Sequence, residues 1–520
     1  MLKDLPIGIQ TFEKIVEGNY LYVDKTKHIH NLITKGSVYF LSRPRRFGKS
    51  LLISTLNAIF KGRRELFKGL WIEGADYAWQ EYPIIRIDMS KVSAETIDSL
   101  RAGLKTQIHN IAREYSIEIS NTEFEHECFE ELIQKLSSKG KVVILIDEYD
   151  KPLINNLKDV EHCAKVRDIL RNFYGIIKAS DEYLKFVLLT GVSKFSKVSV
   201  FSGLNNLNDI SMDVRYSEML GYTQEELEEN FKAHIEALSL ARSKPKEELL
   251  REIKRWYNGY RFSNSAENLV YNPFSSLLLF DKQEFKNFWF ETATPTFLVD
   301  LLKQSKQLNI KDLDGIEARA EQFSTYDIDN LRLLPLLVQA GYMTIKDHRE
   351  SYGKSVYVLG YPNEEVRSSF LENLMINFAE LETIQESTLE KLQASLGSED
   401  LETYFETLQI FFANIPYNIQ VGNRERYYQS IFYVIHQLLG YRIKVEVTTN
   451  IGRLDAVIEL EDKIYIFEFK LNGTKEEALA QIKTKKYYQP YEGQNKEIIL
   501  VGVEFNQDER NIAGFVLEKL

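Results

Sequence analysis

Between Ser37 and about Ser193 the chain alternates short apolar runs with helical spacing, and four of those runs are Val38 to Leu41, Ile84 to Ile87, Val142 to Ile146 and Phe186 to Leu189. Runs largely apolar on both faces suit strands of a parallel sheet covered by helices. From Ser217 to about Ser398 the apolar spacing is mainly helical, most clearly over Glu225 to Leu240 and Glu365 to Glu382. A polar stretch, Gly397-Ser398-Glu399-Asp400, offers a boundary. Beyond it the pattern predicts a helix (Tyr427 to Leu439), two strands (Arg453 to Leu460, Lys463 to Lys470), a helix (Lys475 to Tyr488) and an apolar strand (Glu497 to Val503). Together these make a small α/β domain.

Inside the helical middle, Leu331 to Ala340 reads as a helix, with Tyr342 to Lys346 and Ser355 to Leu359 as a hairpin. A helix followed by a hairpin is the outline of a winged helix near 328–362, which could seat on a duplex. Packing within the fold explains the same pattern equally well.

A chain of 520 residues exceeds what one hydrophobic core usually supports. The expected division is 1–215, 216–400 and 401–520. Neither a repeat of fixed period nor a low-complexity tract interrupts it, so solenoid and linker-rich architectures drop out. The net charge of −11 argues against overall attraction to nucleic acid, so any such contact needs a local basic surface. Cys128 and Cys163 cannot build a disulfide framework or a four-ligand zinc site by themselves. Met1 to Phe12 lacks an apolar leader core, and no uninterrupted apolar run reaches the roughly 18 residues of a membrane span. The expectation is a cytoplasmic protein without a membrane partner.

Strand Val38 to Leu41 runs into Ser42-Arg43-Pro44-Arg45-Arg46-Phe47-Gly48-Lys49-Ser50, and an apolar helix from Leu51 to Phe60 follows. A helix N-terminus offers backbone N–H groups and the positive end of its dipole to a triphosphate. In that setting Gly48 lets the backbone approach, Lys49 reaches the β and γ phosphates, and Ser50 ligates Mg²⁺. Arg46, Phe47 and Leu51 complete the expected ATP-binding segment. Arg43 stands where a phosphate loop usually has glycine, so the turn must differ, with Pro44 stiffening it. The guanidinium groups of Arg43, Arg45 and Arg46 are expected near nucleotide phosphates or paired with local acids, with a nucleic-acid contact as the lesser alternative. About a hundred residues on, the buried run Val142 to Ile146 ends in Asp147 and Glu148. Two carboxylates at the carboxyl edge of a parallel sheet suit Mg²⁺ held through water by Asp147 and an attacking water polarised by Glu148.

Several longer runs carry a resemblance: Tyr22 to Thr26, Arg43 to Ser50, Leu145 to Pro152, Thr190 to Phe195, Asn258-Gly259-Tyr260 and Tyr271 to Phe274. They resemble the AAA-ATPase-like family of bacterial proteins, which often ends in a PD-(D/E)XK nuclease domain. That resemblance makes Arg-Pro-Arg-Arg-Phe-Gly-Lys-Ser a family form of the phosphate loop. The strand Phe186 to Leu189 ends at Thr190, where AAA-type ATPases place a polar residue that senses the γ phosphate; Ser193 competes for that role, and a threonine that simply ends a strand is the equal alternative.

In the last domain a hairpin turning at Glu461-Asp462 would pair residues whose numbers sum to a constant, with Leu460 facing Lys463 and Asp455 facing Glu468. Directly opposed residues share a face with Cβ atoms about 5 Å apart. Asp455 and Glu468 could then share one divalent ion, and Lys470 follows on the same side. Two acids and a lysine suit phosphodiester hydrolysis with Mg²⁺ or Mn²⁺. A surface hairpin of exposed ion pairs is the competing reading. The pattern is similar to the PD-(D/E)XK core, and the resemblance implies roles for Gln481 and Tyr487 and an additional metal-binding acid at Glu425.

The expected fold class is therefore α/β: a P-loop NTPase parallel sheet with helices on both faces, a mainly helical middle, and a restriction-endonuclease-like C-terminal domain. The expected activity is ATP binding and hydrolysis coupled to a Mg²⁺-dependent nuclease acting on DNA or RNA, DNA favoured, with a homo-oligomer left open. Two rivals are a nucleotide-controlled interaction protein whose nuclease fold no longer cleaves, and a peptide-remodelling ATPase.

Overall fold

A computed structural model describes residues 2–120, 123–195, 200–201, 204, 206–289, 314–323, 333–351, 354–379, 386–413, 424–448, 453–471, 473–506, 508–509 and 511–520, excepting the side chains of 351, 377–379, 386, 424–428, 442, 446 and 448. The chain divides into two compact units, Met1–Phe297 with Gly315–Arg367, and Leu298–Asp314 with Ser368–Leu520. Residues of the expected helical middle are thus shared between the two units.

The first unit is built on a five-stranded parallel sheet. Its strands are β1 (Val38–Ser42), β2 (Ile84–Asp88), β3 (Val142–Asp147), β4 (Leu184–Gly191) and β5 (Asn208–Asp209), in the order β2-β3-β4-β1-β5. Every residue of β1 and β3 is buried, as strands covered on both faces require. On one face Tyr39, Leu41, Val143, Leu145, Phe186 and Leu188 join Leu52, Ile53, Leu56 and Ile59 of the helix Lys49–Phe60 in one core. Phe40, Ile144, Ile146, Val187 and Leu189 alternate with them and are buried too. Because β4 lies between β1 and β3, three strand ends meet at one edge, with Leu41 paired to Thr190 and Ile146 to Leu189.

The expected helix over Glu225 to Leu240 is two helices, Gln224–Asn230 and Lys232–Ala241, which part at Phe231. A three-stranded antiparallel sheet follows, β6 (Ile316–Ala318), β7 (Thr344–Ser351) and β8 (Lys354–Gly360), ordered β6-β8-β7. With the helix Leu333–Ala340 it gives the expected helix and hairpin. Lys346 Nζ donates to the carbonyls of Tyr361 and Pro362, and Arg349 pairs with Glu317 at 2.6 Å.

The second unit holds a mixed sheet ordered β13-β12-β11-β10-β9, made of β9 (Arg442–Thr448), β10 (Arg453–Glu459), β11 (Lys463–Lys470), β12 (Glu497–Asn506) and β13 (Asn511–Lys519). β10 and β11 are antiparallel with Ala456 opposite Phe467 and Ile458 opposite Tyr465, the register expected from the alternation. The turn is tight although it lacks glycine: Leu460 N donates to Lys463 O at 2.8 Å, and Glu497 N and Lys496 Nζ brace it from outside. β11 and β12 are parallel, and the helix Lys475–Thr484 makes the crossover between them. Its Ile482 packs with Val457, Ile464, Ile466 and Leu500. Among the described residues no helix is long and apolar enough to cross a membrane.

Candidate functional site

Gly48 adopts φ +87 and caps the helix Lys49–Phe60, a left-handed turn that glycine takes without strain. Arg46 also has positive φ, +67, which costs a residue with a side chain more. These two residues fold the loop over the helix N-terminus. Lys49 is buried, and its Nζ donates to the carbonyls of Arg43 and Pro44 at 2.9 Å each. Burial lowers the Lys49 pKa, offset in part by Asp147, Asp150 and Glu148.

Arg43 corrects an expectation. Its guanidinium neither faces the cleft nor pairs with an acid. It is 1% exposed and donates to the carbonyls of Ser42, Ser211 and Tyr216 at 2.9, 2.7 and 3.1 Å. The ring of Phe262 lies 4.1 Å from it. Burial pushes its pKa down to about 9. Where other loops have glycine, this one has a core arginine that pins β1 to the segment after β5.

Asp147 ends β3 nearly buried, and Thr190 Oγ1 donates to its Oδ1 at 2.6 Å. Ser193 stands apart from that bond. Its N–H donates to Asp150 Oδ2 at 2.6 Å and its carbonyl accepts from Tyr149 Oη at 2.8 Å. Asp150 is buried and also accepts from Val192 N, and burial pushes it up to about 6. Glu148 has φ +51, a conformation found where a side chain is aimed against the local preference of the backbone. Lys151 Nζ lies 4.0 Å from its carboxylate.

A cleft of about 350 Å³ gathers Arg45, Arg46, Gly48, Lys49, Ser50, Leu51, Glu148 and Lys151. Its other wall is apolar, with Ile15, Tyr222, Phe274 and Leu277. The Arg46 guanidinium sits 4.6 Å from the centre of the Phe274 ring. Phe47 is turned inward, edge-on to Tyr260 and Phe262, and borders an adjoining apolar recess with Leu21, Val23 and Leu220. Sequence reasoning missed Lys151 and the far wall as site residues, although Lys151 and Phe274 fall in runs it had singled out.

In the second unit Asp455 Oδ2 accepts from Phe469 N at 2.8 Å, and its Oδ1 accepts from Gln429 Nε2 at 3.1 Å. Glu468 is 3% exposed. Its Oε1 accepts from the amide of Gln481, and Lys470 Nζ lies 3.6 Å away. Lys470 also donates to Gln481 Oε1 at 2.6 Å. Glu468 Oε2 is buried without a hydrogen-bond partner. Burial, then the nearby charge of Asp455, pushes the Glu468 carboxyl up to about 8. Tyr487 is buried in the same core. The Glu425 side chain lies outside the described residues. Gln429, missed in the sequence, is brought to Asp455 by the helix Arg424–Leu438.

Comparison with known proteins separates the same two parts. Residues 6–201 match the family model described as "Predicted AAA-ATPase", and residues 423–515 match that of the PD-(D/E)XK nuclease superfamily. A curated relative, the "Uncharacterized protein in vnfD 5'region" of Azotobacter chroococcum mcd 1, is 40% identical over 535 residues, spanning 100% of this chain and 99% of its own.

Proposed function

We propose, for a chain that belongs to the AAA-ATPase-like family and carries a C-terminal PD-(D/E)XK nuclease superfamily domain, that ATP binding and hydrolysis in the first unit control a Mg²⁺-dependent nuclease in the second, with DNA as the favoured substrate. The observation that carries the ATPase half is the meeting of Lys49, Asp147, Glu148 and Thr190 at one sheet edge.

The cleft suits a nucleotide in size and in chemistry, since sites for such ligands run from about 300 Å³ upward and are apolar with a few placed polar groups. Gly48, Lys49 and Ser50 would hold the triphosphate, and Tyr222 and Leu277 offer the base an apolar wall. Ser50 and Asp147 offer oxygen donors of the kind Mg²⁺ prefers, Asp147 through water. Lys49, which here donates to the carbonyls of Arg43 and Pro44, would serve the β and γ phosphates. Glu148 accepts a hydrogen bond from the attacking water, and Thr190 orients Asp147.

In the second unit the donor set also suits a hard cation. Asp455 and Glu468 supply only oxygen, and the partnerless Glu468 Oε2 is an atom that lacks a bond which an ion would provide. When bound, Mg²⁺ or Mn²⁺ would polarise the scissile phosphate and acidify a water. Gln481 holds Glu468 and Lys470 in place, Gln429 holds Asp455, and Lys470 balances charge developing on the phosphate.

A second reading keeps the nucleotide switch but no cleavage, the C-terminal fold serving to bind nucleic acid or protein. It is favoured by one observation: Lys470 Nζ lies 3.6 Å from Glu468, so the carboxylate already has a cationic neighbour. ATP turnover by wild type and Lys49→Ala, with cleavage of single-stranded DNA, duplex DNA and RNA by wild type and Glu468→Ala, separates the readings. The favoured one expects turnover to vanish with Lys49→Ala and cleavage with Glu468→Ala. The second expects turnover but no cleavage by any form of the protein.

A further inference from the structure

Segments distant in the chain grip the backbone of the phosphate loop. Trp289 is buried, and its indole Nε1 donates to the carbonyl of Arg45 at 3.2 Å. Its ring lies edge-on to Tyr342, with centroids 5.2 Å apart. Beside it Gly341 takes φ +93, and a Cβ there would stand 2.7 Å from Pro44 Cβ and 3.5 Å from the Trp289 ring. The helix and hairpin that sequence reasoning offered as a winged helix therefore abut the loop through Gly341, and no larger residue fits that contact without displacing Pro44.

Behind these contacts lies Glu365, 0% exposed. Its Oε1 accepts from the backbone N–H of Trp289 and from Ser275 Oγ, each at 2.9 Å. Ser275 stands in the first turn of the helix Pro273–Lys282, next to Phe274, whose ring lies against Arg46. A buried carboxyl group costs stability unless its hydrogen bonds are made. Here they go to the two elements that touch the loop, one at Arg45 and one at Arg46. Burial also pushes Glu365 up to about 8.

Arg46 holds an unfavourable positive φ, and the peptide before it is the one whose carbonyl Trp289 binds. In a trans peptide the C=O and N–H point in opposite directions. Anchoring the Arg45 carbonyl on the indole therefore turns the Arg46 N–H away from Trp289 and fixes the sense of the turn. Lys49 supplies the neighbouring carbonyls with a donor only while it is not engaged by phosphate, whereas the indole can hold Arg45 throughout.

We propose that Trp289 is a positioning residue for nucleotide binding, keeping the Arg45-Arg46 peptide in its phosphate-accepting orientation through the indole N–H, with Glu365 fixing Trp289 in turn. This rests on the ATP-binding reading above. It extends that reading to a residue 244 positions from the loop.

The test uses the full chain and direct binding of ATP, read by competition with a fluorescent ATP analogue. Trp289→Phe keeps a ring and removes the N–H. Its Kd for ATP should rise about three- to tenfold, the loss expected of one hydrogen bond. Its kcat at saturating ATP should stay within about twofold, and its melting midpoint without nucleotide should stay close to that of wild type. Trp289→His, which restores a ring donor, should recover part of the affinity. Glu365→Gln keeps the accepting oxygen and should bind as wild type does, whereas Glu365→Leu should behave as Trp289→Phe. If Trp289→Phe does not fold, Glu365→Leu carries the test, with the same expected rise in Kd for ATP, and Glu365→Gln is its control. Wild-type affinity in Trp289→Phe, or in Glu365→Leu where Trp289→Phe does not fold, overturns the proposal alone. A folded wild type that binds no ATP overturns the ATP reading and this proposal with it.

Discussion

Gln481 joins Glu468 to Lys470: its amide donates to Glu468 Oε1 while its own oxygen accepts from Lys470 Nζ at 2.6 Å. One uncharged side chain thereby braces both members of an ion pair whose charged atoms stand 3.6 Å apart. Partners that orient a metal-binding group are typically worth about 10- to 100-fold in metal affinity or activity. Gln481→Met should lower Mg²⁺-supported cleavage by about that factor and raise the Mg²⁺ concentration for half-maximal rate. An unaltered Mg²⁺ titration would show that the bridge does not serve the site.

Glu468 predicts a pH dependence. Its carboxyl is pushed from an ordinary 4.5 up to about 8, chiefly by burial and then by Asp455. A group raised on folding stabilises the fold fully below its unfolded value and loses that contribution as pH climbs through its folded one. Metal-free protein should therefore lose stability between about pH 4.5 and pH 8 through this residue. Glu468→Gln, which cannot ionise, should gain on wild type across the same interval by about 2 to 4 kcal/mol. Denaturant melts of the two proteins at pH 5 and pH 9 measure it, and an equal difference at both pH values would refute the assignment.

Thr190→Val removes the hydroxyl that donates to Asp147 and little else. The ATP Kd should stay within about threefold while kcat falls about tenfold, the signature of an interaction needed in the transition state rather than in binding. Steady-state turnover with a separate binding titration checks the split. A loss confined to Kd would show that Thr190 serves binding and not the orientation of Asp147 during turnover.

Arg43→Met tests whether the arginine in the glycine position is structural. Removing it strands the buried carbonyls of Ser42, Ser211 and Tyr216, which should cost about 2 to 4 kcal/mol of stability. ATP affinity measured well below the new melting point should change by less than about threefold. A stable protein that has lost ATP would put Arg43 among the phosphate ligands after all.

What could be read in the sequence was what local order encodes. The register of β10 and β11 was legible because Ala456, Ile458, Tyr465 and Phe467 alternate without interruption, and a slip of one residue would turn all of them over. The phosphate loop was legible because strand, loop and helix are contiguous. The rest depended on distance along the chain. Arg43 looks like a loop cation until its acceptors, 168 and 173 residues away, are known. Trp289 gives no local hint that it reaches Arg45. β9 and β13, the two outer strands of the second sheet, are not legible in the sequence because edge strands such as Asn511–Lys519 mix exposed and buried positions on both sides and lack the unbroken apolar run of the central ones.

The claim that nucleotide state controls a metal-dependent nuclease is tested most directly by one assay: release of labelled fragments from DNA in Mg²⁺, with and without ATP, by wild type, Lys49→Ala and Glu468→Ala. The account predicts cleavage by wild type that changes with ATP, cleavage by Lys49→Ala that ignores ATP, and none by Glu468→Ala. Equal cleavage by wild type and Glu468→Ala would contradict it.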